Sequence, residues 1–112
     1  MRFSKCSSFL LLLLLSSSAH GAGECGRVPV ANVAIRMAPC AGASQSARAP
    51  VSPQCCAAVA NIGRNPKCLC AVMLSSTARS AGVKPAVAVT IPKRCNLRNR
   101  PVGYKCGAYT LP

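Results

Sequence analysis

Apolar residues recur at helical spacing in several short segments of the chain. In the first segment they fall at i, i+3, i+4 and i+7, which places them on one face of a helix. Pro29 suits the first turn of this helix, because a proline there removes no intrahelical hydrogen bond. We predict a helix from Pro29 to about Ala38, where Pro39 stops it. The apolar face consists of Val30, Val33, Ala34 and Met37.

Two later segments open with a capping residue followed by proline. Ser52-Pro53 opens the first of them, and Gly63 closes it as a residue just past the helix end. Asn65-Pro66 opens the second, which we predict to continue towards Gly82. Their cysteine and apolar residues are Cys55, Cys56, Val59, Ile62, Cys68, Leu69, Cys70, Val72, Met73 and Leu74.

The last helical segment is short. Lys84-Pro85 opens it, and we expect it to cover residues 86–90 and to end at Pro92. After Cys95 no helical period is present, so the tail is predicted to be irregular and to be held by Cys106. The pattern predicts an all-α fold of four short helices with an irregular C-terminal tail.

The segment before these helices has the organisation of a secretory signal peptide. A basic start is followed by an apolar run at residues 9–15 and a small-residue exit. A membrane anchor is the weaker alternative, because seven apolar residues fall short of the roughly 20 that span a bilayer. We predict that residues 1–21 are a signal peptide, cleaved after Gly21 or alternatively Gly23, and that residues 22–112 form one secreted domain.

Cleavage leaves eight of the nine cysteines, an even and dense set that predicts a disulfide framework. Neither Cys55-Cys56 nor Cys68-Leu69-Cys70 can close on itself without strain, so each cysteine must bond to a different part of the chain. Spacing alone leaves on the order of 100 connectivities. Zinc binding is a weaker alternative, because paired CxxC spacing is absent and no histidine follows residue 21.

The charge is strongly one-sided. Twelve of the fourteen Lys and Arg residues follow residue 21 and Glu24 is the only acid, which gives a side-chain charge of +11. Such a surface attracts anionic membranes, cell-wall polyanions or nucleic acid, although it equally keeps an apolar protein in solution. Nucleic acid is disfavoured, because only Tyr104 and Tyr109 are available to stack on bases.

Catalysis is disfavoured by the residue types present. After residue 21 there is no histidine, no aspartate and a single glutamate. General acid–base catalysis needs a titratable pair, and an activated nucleophile needs a base. We therefore expect a protein that is not an enzyme and that uses no cofactor.

The apolar composition is compatible with an internal cavity. The chain is 51% hydrophobic but only 4% aromatic. Four disulfides, each typically worth about 2–4 kcal/mol, reduce the need for a dense core. A cavity in such a scaffold suits an acyl chain, since burial contributes roughly 0.8 kcal/mol per CH₂. Periodicity is equally compatible with a solid core.

The order of the cysteines resembles the eight-cysteine motif C…C…CC…CxC…C…C of plant non-specific lipid transfer proteins. It covers almost the whole domain, through Cys25, Cys40, Cys55-Cys56, Cys68-Leu69-Cys70, Cys95 and Cys106. Asn65-Pro66-Lys67-Cys68-Leu69-Cys70 and Ile91-Pro92-Lys93-Arg94-Cys95-Asn96 are similar to segments of the subgroup related to the "defective in induced resistance" protein.

The resemblance implies a fold, a pairing and a ligand class. The four helices would enclose an apolar tunnel with the tail as part of its wall, in a monomer secreted to the cell wall or apoplast. Because Leu69 between the CxC cysteines is apolar, the implied pairing is that of type-2 members. The implied disulfides are Cys25–Cys68, Cys40–Cys55, Cys56–Cys95 and Cys70–Cys106.

The implied ligand is a fatty acid or a lysophospholipid, carried between membranes or wall layers. Candidates for its headgroup are Arg36, Lys93, Arg94 and Arg98. Candidates for contact with its acyl chain are Val33, Met37, Val59, Ile62, Leu69, Met73, Leu74, Val87, Ile91, Leu97, Val102 and Tyr104.

Two departures and two alternatives accompany this resemblance. The chain is basic, whereas members of the subgroup are often acidic, which favours a defence role at anionic membranes over signalling. The interval between Cys25 and Cys40 is also longer than in common members. One alternative is a cationic antimicrobial protein. The other is a hydrolase inhibitor, since amylase inhibitors and storage albumins share the cysteine pattern.

Overall fold

The computed structural model describes residues 23–112. The predicted signal peptide lies outside these residues. The described part is mostly helical, so the all-α class is confirmed. Its elements are α1 (Val30–Ile35), a 3₁₀ turn (Ala38–Cys40), α2 (Pro53–Ile62), α3 (Pro66–Met73), α4 (Ser76–Ser80), α5 (Pro85–Ala88), α6 (Ile91–Arg94), β1 (Lys105–Cys106) and β2 (Tyr109–Thr110).

Capping side chains start the two longest helices, as the sequence predicts. The Cys55 N–H donates to Ser52 Oγ at 3.0 Å before α2. The Cys68 N–H donates to Asn65 Oδ1 at 3.3 Å before α3. A proline follows each capping residue in the first turn, where its missing N–H leaves no hydrogen bond unmade. Local chemistry therefore sets where both helices begin.

The predicted helix from Asn65 towards Gly82 occurs as two helices, so its continuity is wrong. α3 ends at Met73 and α4 starts after Ser75. The Ser75 hydroxyl donates to the Val72 carbonyl at 2.7 Å and accepts the Ala78 N–H at 3.1 Å. These bonds satisfy the backbone locally in place of a continuing helix.

The predicted stop at Pro92 is also wrong. Pro92 lies in the first turn of α6, directly after the short α5, because proline is tolerated there as well as after a helix. The tail is irregular apart from β1 and β2, which pair antiparallel with Lys105 opposite Thr110 and Cys106 opposite Tyr109.

Four disulfides tie the rest of the described chain to α2 and α3. The bonds are Cys25–Cys68, Cys40–Cys55, Cys56–Cys95 and Cys70–Cys106. These are the pairs that the resemblance implies. α2 therefore holds the 3₁₀ turn and the end of α6, while α3 holds the N-terminal segment and β1.

The core lies where α2 and α3 meet, with α1 and α4 packed on one side and α6 on the other. Its largest fully buried side chains include Leu69, Met73, Ile91, Val59 and Val72. Among residues 23–112 no helix has the length and apolarity needed to cross a bilayer.

Candidate functional site

A half-open cleft of about 610 Å³, which we call the larger cleft, lies beside α2. Its walls come from α2, the α2–α3 turn, Leu69 of α3 and the segment after α6. Its volume is within the roughly 300–1,000 Å³ that is usual for small-molecule sites. The apolar part of its lining includes Val59, Leu69, Pro92, Leu97 and Pro101.

Gly63 allows the α2–α3 turn to close tightly over this cleft. A Cβ at this position would lie 2.7 Å from the Val59 carbonyl oxygen and 3.4 Å from Leu69 Cδ2. The first distance is shorter than Cβ atoms tolerate, so a side chain here would displace the turn. The glycine thus keeps Arg64, the next residue, at the wall of the cleft.

Three arginines from two separate segments contribute positive charge to the cleft wall. Arg64, Arg98 and Arg100 line it, and no acidic residue does among residues 23–112. The Arg100 side chain is held in place, because Nε donates to the Pro112 carbonyl at 3.1 Å and Nη1 donates to the Leu97 carbonyl at 3.1 Å. An apolar wall beside cations, one of which is held in place, suits an amphiphile with an anionic headgroup.

The second cavity is smaller and carries no charge. It measures about 240 Å³ and lies between α1, the 3₁₀ turn, α3 and α4. Its polar lining residues are Thr77 and Ser44, and the buried Ser44 hydroxyl donates to the Cys40 carbonyl at 2.8 Å. This cavity offers an uncharged apolar space without an anchoring group for a headgroup.

The structure divides the predicted acyl-chain contacts between these cavities and the core. Val59, Leu69 and Leu97 line the larger cleft. Met37 and Met73 line the smaller cavity. Ligand contact stays a prediction for the whole set, and the remaining residues line neither cavity. Of these, Val33, Ile62 and Ile91 are buried, Leu74, Val87 and Tyr104 are half-buried, and Val102 is exposed.

Of the predicted headgroup residues, Arg98 lies at the larger cleft, and the exposed Arg36 and Lys93 line neither cavity. The Arg94 guanidinium is engaged elsewhere. It donates to the carbonyls of three linker residues at 2.6, 2.8 and 3.2 Å. These residues are Ala43, Ala49 and Ser46 respectively. Arg94 therefore holds the linker, which is a structural role.

Sequence reasoning missed Arg64 and Arg100 as cleft residues. A single arginine in a turn or tail usually marks a solvated surface, so its residue type carries no signal. For Arg64 a positional signal is present, because it lies in the short turn between the helices that supply Val59 and Leu69. Arg100 has no such signal, since its placement depends on contacts with Leu97 and Pro112.

One family model matches most of the chain. The model of the protease inhibitor/seed storage/LTP family matches residues 14–106, a range that contains all eight paired cysteines. No curated protein and no solved structure matches significantly.

Proposed function

Because this chain belongs to the protease inhibitor/seed storage/LTP family, we propose that it is a secreted lipid carrier that binds a fatty acid or lysophospholipid in the larger cleft. The observation that carries this proposal is the composition of that cleft, which combines an apolar wall with Arg64, Arg98 and Arg100. The family comprises inhibitors, storage proteins and lipid carriers, which are non-enzymatic classes.

The two parts of the ligand would be bound by different forces. The acyl chain would lie against Ala60, Leu97 and Pro101, which are apolar lining residues that keep accessible surface. Each CH₂ that it buries would contribute roughly 0.8 kcal/mol before ordering costs. The carboxylate or phosphate would face the arginines, whose planar guanidinium groups match both geometries. Such a carrier would act in the apoplast of a plant, where its positive charge favours a role in defence at anionic membranes.

The first test is saturable binding of a fluorescent fatty acid to oxidised protein beginning at residue 22. We expect about one site, displacement by lysophospholipid, and loss of binding on reduction, because Cys56–Cys95 ties α2 to the segment after α6 and both line the cleft. Absence of saturable binding with all four disulfides intact would overturn the proposal.

A cleft-filling variant locates the ligand. Ala60 is exposed on α2 and lines the larger cleft, so Ala60→Trp occupies the cavity without changing the core. We expect at least a tenfold loss of fatty-acid affinity. The matched control is Ala31→Trp, on the exposed face of α1 and away from both cavities. Ala81→Trp fills the smaller cavity, and a loss confined to that variant would move the ligand there.

Inhibition of a hydrolase is the second candidate, since the matched family includes protease inhibitors. Assays against serine proteases and α-amylases separate it from lipid carriage. Tight, stoichiometric inhibition by a protein that binds no fatty acid would favour the inhibitor.

A further inference from the structure

An apolar side chain lies at the tip of a tight turn beside the larger cleft. The Tyr104 N–H donates to the Pro101 carbonyl at 3.1 Å, which closes a β-turn over residues 101–104. Gly103 has φ of +83°, the left-handed value that the third position of a type II turn requires. Val102 occupies the second position, and its side chain is 65% exposed.

The turn is held firmly to the folded domain. The Gly103 N–H donates to the Leu111 carbonyl at 2.8 Å, and the Leu111 N–H donates to the Tyr104 carbonyl at 2.9 Å. Leu111 is buried in the core, and Cys106 is bonded to Cys70 of α3. Local refolding that buried Val102 would break these contacts, so its exposure is a fixed feature of the fold.

Basic residues flank this tip without acidic neighbours. Arg98 and Lys105 are exposed on either side of the turn, and Arg100 is half-buried next to it. The only acid of the described chain is Glu24, which lies near α3 through its carbonyl contact with Asn65. The positive charge of residues 98–105 is therefore not compensated within the segment.

We propose that residues 98–105 form the surface that docks this protein on an anionic lipid bilayer, with Val102 entering the acyl boundary. An exposed valine alone is ordinary on protein surfaces. A fixed apolar tip between cations, however, matches a bilayer interface, where acyl chains lie directly beneath anionic headgroups. An acidic protein surface would match the cations but not the projecting valine.

The position of this surface connects it to the cleft. Residues 98–101 belong both to the docking segment and to the wall of the larger cleft. Docking would therefore place the cleft against the membrane, where a lipid enters or leaves it. This consequence rests on the proposed carrier function, whereas docking itself does not.

Insertion is tested directly by placing a fluorophore at the tip. The chain contains no Trp, so Val102→Trp carries a single reporter. On phosphatidylcholine–phosphatidylserine vesicles without added ligand, we expect a blue-shifted emission that brominated lipid quenches. Ile35→Trp is the matched control, since Ile35 is 66% exposed on α1. Unchanged emission of Val102→Trp, or an equal shift in both variants, would overturn the proposal.

Two double variants with the same net charge test the contribution of the cations. Each Lys or Arg near an anionic surface is worth about fivefold in affinity, so Arg98→Gln with Lys105→Gln should weaken vesicle binding about 25-fold. Arg48→Gln with Arg79→Gln removes the same charge from exposed positions outside the segment. That second pair should lower the affinity for vesicles, measured by co-sedimentation, by only a few-fold. Equal losses would mean that the overall charge binds the membrane, and would overturn the assigned surface.

The outcomes separate the two proposals. If unmodified protein docks on vesicles but binds no fatty acid in solution, the carrier function falls and the docking surface stands. If it binds fatty acid but neither reporter nor charge pair responds to vesicles, the docking surface falls alone. Val102→Trp emission that shifts with an acidic protein but not with vesicles would assign the surface to a protein partner.

Discussion

Arg94 shows how one side chain acquires a role that its type and position do not reveal. Its guanidinium bonds to three carbonyls of the linker between the 3₁₀ turn and α2, and its Nε donates to Thr90 Oγ1 at 3.1 Å. The linker is rich in small residues and forms no helix or strand of its own. The hydrogen bonds of this half-buried cation on α6 thus offset the conformational entropy that is lost when the linker is ordered.

Replacing Arg94 with alanine should lower stability and loosen the linker. Hydrogen bonds to charged groups are worth about 1.5–3 kcal/mol, so we expect a loss of that order in urea unfolding. Amide exchange should rise within residues 41–51. Lys93→Ala is the control, because Lys93 is exposed on the same helix. Equal stability of both variants would show that the Arg94 bonds contribute nothing net.

Leu69 and Met73 are too deeply buried to test ligand binding by charge insertion. Each is only 1% exposed. A carboxylate at either position would lose its hydration without gaining a partner, which proteins rarely tolerate. Leu69→Asp and Met73→Asp are therefore expected to prevent folding, so that lost binding would be uninformative. Thermal unfolding of both variants, followed by circular dichroism, should show either no cooperative loss of helix or a much lower midpoint temperature.

At the scale of elements, short-range chemistry explains most helix starts and some of the stops. Serine or asparagine followed by proline begins α2 and α3 as predicted, because the capping oxygen and the backbone N–H that donates to it lie three residues apart. Proline is ambiguous by comparison, since it either follows a helix or occupies its first turn. Pro92 takes the second role, and the sequence nearby does not distinguish the two.

The break between α3 and α4 depends on Ser75. Ser75→Ala removes the acceptor for the Ala78 N–H and should cost about 0.5–2 kcal/mol, as helix-cap losses usually do. Ser76→Ala is the matched control, since Ser76 is exposed one position later. The free energies of unfolding of the two variants can be compared in urea. A loss no greater for Ser75→Ala than for Ser76→Ala would contradict a capping role.

At the scale of the whole molecule, the disulfides determine which segments meet. Cys56–Cys95 joins α2 to Cys95, which lies two residues before Leu97. Leu97 to Pro101 form one wall of the larger cleft. Cys40–Cys55 instead closes the shorter linker loop, with a sequence separation of 15 against 39. Removing Cys56–Cys95 should destabilise the fold more, because the entropy that a disulfide removes from the unfolded chain grows with the length of the loop that it closes.

Paired Cys→Ser variants separate the two roles. Removing Cys56–Cys95 should cost roughly 2–4 kcal/mol and weaken fatty-acid binding, since one wall of the cleft loses its tie. Removing Cys40–Cys55 should cost somewhat less and leave the affinity within a few-fold. Unfolding curves and fatty-acid titrations of both variants provide the comparison. Greater loss of binding without Cys40–Cys55 would place the ligand in the smaller cavity.

The sequence by itself determined the all-α class, the starts of α2 and α3, and the eight-cysteine framework, because these depend on spacing and on neighbours a few residues away. Tertiary structure alone decided which apolar residues line a cavity. Val59 and Ile62 both lie on the apolar face of α2 and both are buried, yet only the packing of other segments places Val59 and not Ile62 at the wall of the larger cleft.

The arginines follow the same division. Arg64, Arg94 and Arg100 have the same residue type and charge. Nevertheless, Arg64 and Arg100 line the larger cleft, whereas Arg94 holds the linker. Arg94 donates to carbonyls 45 to 51 residues away, and Arg100 donates to the carbonyl of the C-terminal Pro112, so these contacts form only when the chain is folded. Charge was thus readable from the chain, whereas its placement required the fold.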